Sequence, residues 1–401
     1  MVWQNLIFMK NNPKQCLIMK IRILLNIVFF ALLIFPSCNE SLDYQDVVYF
    51  TGTEESHITS LYVDGPSSIN ISVTSSKKMD QDVKVSFEVD NSLVDVYNKE
   101  TGGDYKMLPA GSYKLEQGFS TIETGKSVSV PVKLEILSMD DFEEGVLYCV
   151  PLKIVDNSIG MKILESSRIQ YVLIRQILTT RGVNLNNSWY ISMEGMKGVP
   201  ELDDLQQCTM EIRILAKGWR TSGHMISSLI GVEENFLLRV GDVGIKVPNQ
   251  VQLAGRGNSI TAPKYLATDT WYHIAVVDNG SEMSIYINGE LEASVESSGF
   301  KPINLGFYYN SYFAIGMSAS DGRLFNGYVS EARVWNRALS PIELKNNQCF
   351  VDPSTAEGLI GYWRLNEAEG NTFTDLSGNG YHGTASSTPK WTEDIKCPVI
   401  D

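Results

Sequence analysis

Apolar and polar residues alternate along most of this chain, the period of strands with one buried face and one wet face. Clear runs occupy residues 70–73, 83–89, 128–134, 148–155 and 169–174, then 208–215, 227–231, 235–240, 271–277, 283–290, 313–316 and 325–335. Asn279-Gly280 and Asn288-Gly289 are strong tight-turn signals at the two ends of the strand between them. Short helices are predicted over 92–99 and 340–346. In the second, Ser340 suits the N-cap, Pro341 the first helical position, and Glu343 completes a capping box. The predicted fold is all-β, an immunoglobulin-like β-sandwich over 45–176 followed by a second sandwich over 186–400. Residues 177–188, polar with Gly182 and three asparagines, read as the linker. Six of the seven tryptophans, Trp189 to Trp391, lie beyond it, which places the boundary near residue 184.

The first 38 residues depart from the alternation. Lys20 and Arg22 precede an apolar run over 23–35 broken only by Asn26, and Pro36, Ser37 and Cys38 follow. That is the layout of a secretory signal, and the run is shorter than the ~20 residues a membrane-spanning helix needs. Phe35-Pro36-Ser37-Cys38 resembles the lipobox of bacterial lipoproteins, which implies acylation of Cys38 and membrane contact through that lipid alone. The implied location is the outer membrane, at the cell surface. A plain signal peptide is the alternative. Residues 1–18 fit no leader pattern, so Met19 is the expected start in preference to Met1.

The 401 residues carry 33 basic and 47 acidic side chains, a formal charge of −14. The leader holds four of the bases (Lys10, Lys14, Lys20, Arg22) and no acid, so its removal makes the balance −18. Nucleic-acid binding and electrostatic docking on anionic lipid are excluded, because both need a net basic face. The apolar content of 43% excludes a mainly disordered chain. Cys149, Cys208, Cys349 and Cys397 lie beyond the leader and form no CxxC pair, which argues against a zinc ribbon. Three disulfide pairings are open to an exported chain. Cys349 with Cys397 is favoured on their loop-like setting, against four free thiols.

Two resemblances extend the reading. Val94-Asp-Val-Tyr97-Asn98, Tyr105-Lys-Met-Leu108-Pro109, Tyr113 and Tyr148-Cys-Val-Pro151 resemble the DUF1735 family, a module of surface lipoproteins in gut Bacteroidetes. Trp271-Tyr-His-Ile-Ala, Ile285-Tyr-Ile-Asn-Gly289, the run from Phe325 to Ser340, and Tyr362-Trp-Arg-Leu with Asp375-Leu-Ser-Gly-Asn-Gly380 resemble laminin-G-like, concanavalin A-like jelly rolls. That resemblance implies two stacked antiparallel sheets, with Trp271, Tyr286 and Trp335 inside. The Tyr362 and Asp375 motifs open the fold in that family but close it here, so either the strand order is permuted or the last strand pairs beside the first.

Catalytic signatures are missing: no HExxH, GxSxG, P-loop or GxGxxG occurs, nor the Glu-x-Asp-x-x-Glu strand of jelly-roll glycosidases. The acidic cluster Asp140, Asp141, Glu143 and Glu144 reads as a solvated loop, and His273 as structural. The resemblance implies a calcium ion near Asp375 and Asn379, the alternative being a turn capped by Asp375. For sugar binding the candidates are Trp219, Tyr308, Tyr309, Tyr312 and Trp391, since saccharide sites join aromatic faces to polar side chains. The expected function is a non-catalytic surface protein whose second sandwich binds glycan. A module that binds a surface protein is the alternative, and a glycoside hydrolase the third.

Overall fold

A computed structural model describes residues 45–398 apart from 223–224, 243, 245–246, 298, 300, 309–310 and 320–322. The leader, Cys38 and Tyr309 lie outside the described residues. Among the described residues no helix is long and apolar enough to cross a membrane.

The N-terminal sandwich packs one large sheet against two small ones. The large sheet runs Ile58–Val63, Ile169–Gln176, Leu147–Asn157, Val83–Val89, Phe119–Ile122. The small sheets centre on Val47–Phe50 and Val132–Ile136. Alternate residues of all three enter one core, where Phe50 meets Phe87 edge-on at 5.6 Å. Helix Ser92–Thr101 covers the outside of the large sheet with Val94 and Tyr97, and ends at Gly102 in the left-handed conformation. Residues 128–130 break the expected alternation. Val128 and Val130 are exposed while Ser129 is buried, its hydroxyl accepting from the Val73 N–H. The strand resumes as Val132–Ile136, after Pro131, which has no N–H to give a ladder.

The C-terminal sandwich is a jelly roll of two eight-stranded antiparallel sheets. The first runs Glu290–Glu296, Glu282–Ile287, Trp271–Asp278, Cys208–Ala216, Gly327–Trp335, Leu178–Asn184, Trp391–Cys397, with Leu359–Trp363 also on Gly327–Trp335. The second runs Asn258–Tyr265, Gln250–Gly255, Phe236–Val240, Ser227–Val232, Ala314–Ile315, Ile191–Ser192, Gly383–Ala385, Thr372–Phe373. The domain's last strand thus pairs with its first.

The expected linker is a strand. Leu178, Thr180, Gly182 and Val183 are buried, and Ile177 alone separates Leu178–Asn184 from the last strand of the N-terminal sandwich. Polar composition hid an alternating strand with a bulge at Thr180/Gly182. Gly182 is required there, because a Cβ would lie 2.6 Å from the Val329 carbonyl oxygen.

The central aromatics also differ from expectation. Trp189, Phe236, Phe313, Phe325, Trp363 and Phe373 fill the space between the sheets. Trp335 and Tyr286 lie on the far side of the first sheet, and Trp271 is half-exposed on that side. Strand parity explains this: Ile274 and Val276 point inward, so Trp271 and His273 point outward.

That outer face is itself buried, under helix Pro341–Asn346, the segment after it, and the N-terminal sandwich. Glu211, Arg213, His273, Glu331 and Arg333 are each 3% exposed or less. Glu211 accepts from His273 Nε2 at 2.9 Å and Trp335 Nε1 at 2.8 Å, with Arg333 Nε at 3.7 Å. Arg364 reaches Glu331 at 3.3 Å and Glu144 of the N-terminal sandwich at 3.0 Å. Glu144 therefore bridges the two sandwiches from an acidic loop that is solvated as expected, Asp140, Asp141, Glu143 and Glu144 all being exposed; Glu143 pairs with Lys106. Gly145 lies flat under Phe350, where a Cβ would fall 1.9 Å from the ring. Helix Pro341–Asn346 carries the capping box of Ser340 and Glu343. A disulfide joins Cys349, just beyond it, to Cys397 on the last strand, with Cα atoms 5.5 Å apart. Cys149 and Cys208 are free and buried, and burial pushes the Cys149 thiol up to about 12.

Candidate functional site

The first sheet's outer face lies largely under other parts of the chain, and the candidate site stands on the outer side of the second sheet. Polar residues on it form a row across four strands. Ser228 lies opposite Arg239, Arg239 opposite Gln252, and Gln252 opposite Thr261. Their neighbours Leu238, Val240, Val251, Leu253, Ile260 and Ala262 belong to the core, so strand parity turns the row outward.

The row is locked by charge. Arg239 donates to Gln252 Oε1 at 2.8 Å and to Asp242 Oδ1 at 3.0 Å. Gln252 donates in turn to Thr261 Oγ1 at 3.1 Å and Asp242 Oδ2 at 3.3 Å. Arg323 pairs with Glu233 Oε1 at 2.8 Å, and Ser228 shares a hydrogen bond with Ser318 at 2.6 Å. Burial lowers the Arg239 pKa, and the Asp242 and Glu233 charges oppose the shift. Beside the row is a depression of about 430 Å³, whose lining includes Glu233, Arg239, Ala254, Asn258 and Ser259. Glu233 Oε2 is buried there without a hydrogen-bond partner. Such a site offers the guanidinium N–H groups of Arg239 left over from these bonds, an unspent acceptor and a small apolar floor, the combination that orients a polyhydroxylated ring.

The residues expected from sequence are spread out. Tyr312 follows parity to the outer side, since its neighbour Phe313 is in the core, and its hydroxyl meets that of Tyr190 at 3.3 Å. Burial, with the Tyr190 hydroxyl, pushes Tyr312 up to about 12. Tyr308 ends a two-stranded ribbon with Ser311–Tyr312, and its side chain lies outside the described residues. Trp219 and Trp391 are half-buried against the core, Trp391 5.6 Å from Phe373. Glu233, Arg239, Gln252 and Arg323 escaped notice, though Arg239 and Gln252 were visible as polar residues in otherwise apolar strands.

Asp375 and Asn379 do not fit a calcium ion. Asp375 Oδ1 accepts from the Tyr362 and Ser377 N–H groups, and Oδ2 from the Ser377 hydroxyl and Tyr381 N–H, all within 2.9–3.0 Å. Four donors converge where a hard cation needs oxygen ligands. Asn379 turns its amide nitrogen to the Leu359 and Ile360 carbonyls. Among the described residues no group of three or more His, Cys, Asp or Glu is arranged to hold a metal.

Residues 200–345 match the family model of the concanavalin A-like lectin/glucanases superfamily, and residues 43–161 match that of the N-terminal, DUF1735-like domain. A crystal structure from Bacteroides ovatus, of a protein provisionally described as carbohydrate-binding, is 27% identical over 87% of this chain and 99% of its own, with a TM-score of 0.54. The CBM40 module of the Ruminococcus gnavus IT-sialidase, bound to α2,3-sialyllactose, is 18% identical over 43% of this chain and 98% of its own, with a TM-score of 0.34. Domain 4 of the Geobacillus stearothermophilus arabinanase AbnA, bound to arabinotriose, is 19% identical over 36% of this chain and 69% of its own, with a TM-score of 0.29. No curated protein matches the chain.

Proposed function

We propose that this chain, which joins a DUF1735-like sandwich to a jelly roll of the concanavalin A-like lectin/glucanases superfamily, is a non-catalytic glycan-binding protein of the cell surface, lipid-anchored at Cys38. The observation that carries this reading is the Arg239–Gln252–Asp242 lattice beside the Glu233-lined depression, on the outer side of the second sheet. Three acids stand at that site: Glu233 and Asp242 are each tied to an arginine, and Glu234 lines the depression beside Glu233. That arrangement orients hydroxyl groups, and the sequence lacks the Glu-x-Asp-x-x-Glu strand of jelly-roll glycosidases. The Bacteroides ovatus relative, similar over nearly all of both chains, supports the carbohydrate class.

A glycan array tests the reading. The wild type is expected to retain a defined set of oligosaccharides and Arg239→Ala to lose them at least tenfold, a loss of about 1.4 kcal/mol. No retained glycan, or equal retention by the variant, rejects it. Incorporation of a labelled fatty acid that Cys38→Ser abolishes tests the anchor. One observation favours a protein partner instead. Tyr265 and Leu291, 61% and 56% exposed, lie on neighbouring edge strands bridged by Lys264 and Glu292. A Tyr265→Ser/Leu291→Ser protein that loses cell-surface binding partners while keeping its glycans would assign them that role.

A further inference from the structure

Between the two sandwiches lies a second cavity, of about 290 Å³ and distinct from the sheet-face depression. That is near the ~300 Å³ lower end of small-molecule sites. Its lining includes Arg175, Arg213 and Lys345 and no carboxylate, in a chain whose net charge is −14. Arg213 and His273 are each 3% exposed. Four lining residues hold buried polar atoms without a hydrogen-bond partner: Arg175 Nε, Gln176 Oε1, Arg213 Nη1 and His273 Nδ1. Buried polar groups are ordinarily paired, so four around one cavity need an explanation.

Their chemistry divides in two. The guanidinium nitrogens are donors of fixed positive charge. Arg213 is held by the Lys396 carbonyl at 2.7 Å and lies 4.5 Å from the Trp271 ring centre. Burial pulls it down to about 10, which leaves it charged at neutral pH. Gln176 Oε1 is an acceptor. So is His273 Nδ1: burial lowers the His273 pKa and keeps the ring neutral, and Nε2 carries its proton toward Glu211. Two cationic donors with two neutral acceptors match a small molecule that bears both an oxyanion and hydroxyl groups. The partly exposed Trp271 adds an aromatic surface beside them.

We infer that the inter-sandwich cavity binds an acidic saccharide, a uronate whose carboxylate meets Arg175 and Arg213 and whose hydroxyls meet Gln176 and His273. Calorimetric titration of the full chain with D-glucuronate and D-galacturonate tests this, with D-glucose, D-galactose and sodium sulfate as comparisons. One uronate is expected to bind at least tenfold more tightly than its neutral counterpart and than sulfate. Arg175→Met, half-buried and safer to the fold than a change at Arg213, is expected to weaken it at least tenfold. Gln176→Leu should weaken the uronate and leave any residual sulfate response unchanged. Heat from neither uronate means the cavity holds only water and overturns the inference. Equal binding of sulfate and uronate overturns it too, because the acceptors would then play no part.

Discussion

Glu331 shows most sharply how covering a sheet face changes a side chain. Burial pushes its carboxyl up to about 7 from an ordinary 4.5, although Arg333 and Arg364 pull the other way. The folded chain thus holds a proton that the unfolded chain has lost between about pH 4.5 and 7. The resulting stability is present below that window and fades as pH rises through it, by roughly 3 kcal/mol in all. His273, whose value is lowered, acts with the opposite sign, adding stability that is lost as pH falls. Comparison with Glu331→Gln cancels the histidine, because both proteins share it. Urea midpoints from pH 5 to 8 should show the variant gaining on the wild type as pH rises, and a constant difference would disprove the linkage. Arg333 presents the complementary case. It is fully buried beside Glu211, so Arg333→Met should cost about 3–5 kcal/mol by leaving that carboxylate poorly compensated. Thermal unfolding would measure it.

Single elements separate what alternation could reveal from what it could not. The period of two located most strands, and the Ser340–Pro341–Glu343 signal located a helix with its cap. Alternation reports that a strand has two unlike faces, but not what covers the polar one. Glu211 and Arg213 in Cys208–Ala216, and Glu331 and Arg333 in Gly327–Trp335, have the pattern of a wet face and lie in a dry one. The same gap hid the candidate site, because Arg239 and Gln252 acquire meaning only through cross-strand register, which joins residues distant in sequence. The Cys349–Cys397 bridge closes a loop with a sequence separation of 48 and pins the segment that caps the buried charges. Chain-entropy reasoning gives such a loop roughly 4 kcal/mol. Cys349→Ser is expected to lower the melting temperature markedly in oxidising buffer and little in reducing buffer. Equal effects in both would mean the serine acts by packing alone.

At the scale of the whole molecule, the jelly roll depends on its neighbour. Glu144 with Arg364, Asp64 with Lys396 at 3.0 Å, and Asn346 with both Tyr105 and Arg175 at 3.2 Å tie the two together. Without residues 45–176, Phe350, Trp271 and Arg213 would lose their cover. The intact chain is therefore expected to melt in one calorimetric transition, and the isolated jelly roll to melt lower and bind an apolar dye. Two independent transitions in the intact chain would refute the dependence.

Ile177, alone between the last strand of one sandwich and the first of the next, has a mechanical corollary. A floppy tether would let a receptor head swing and give way under load. Here there is no slack to pay out, so the head keeps a set bearing on its base. A pull on the jelly roll would then pass straight into the N-terminal sandwich, with no slack between them to absorb it.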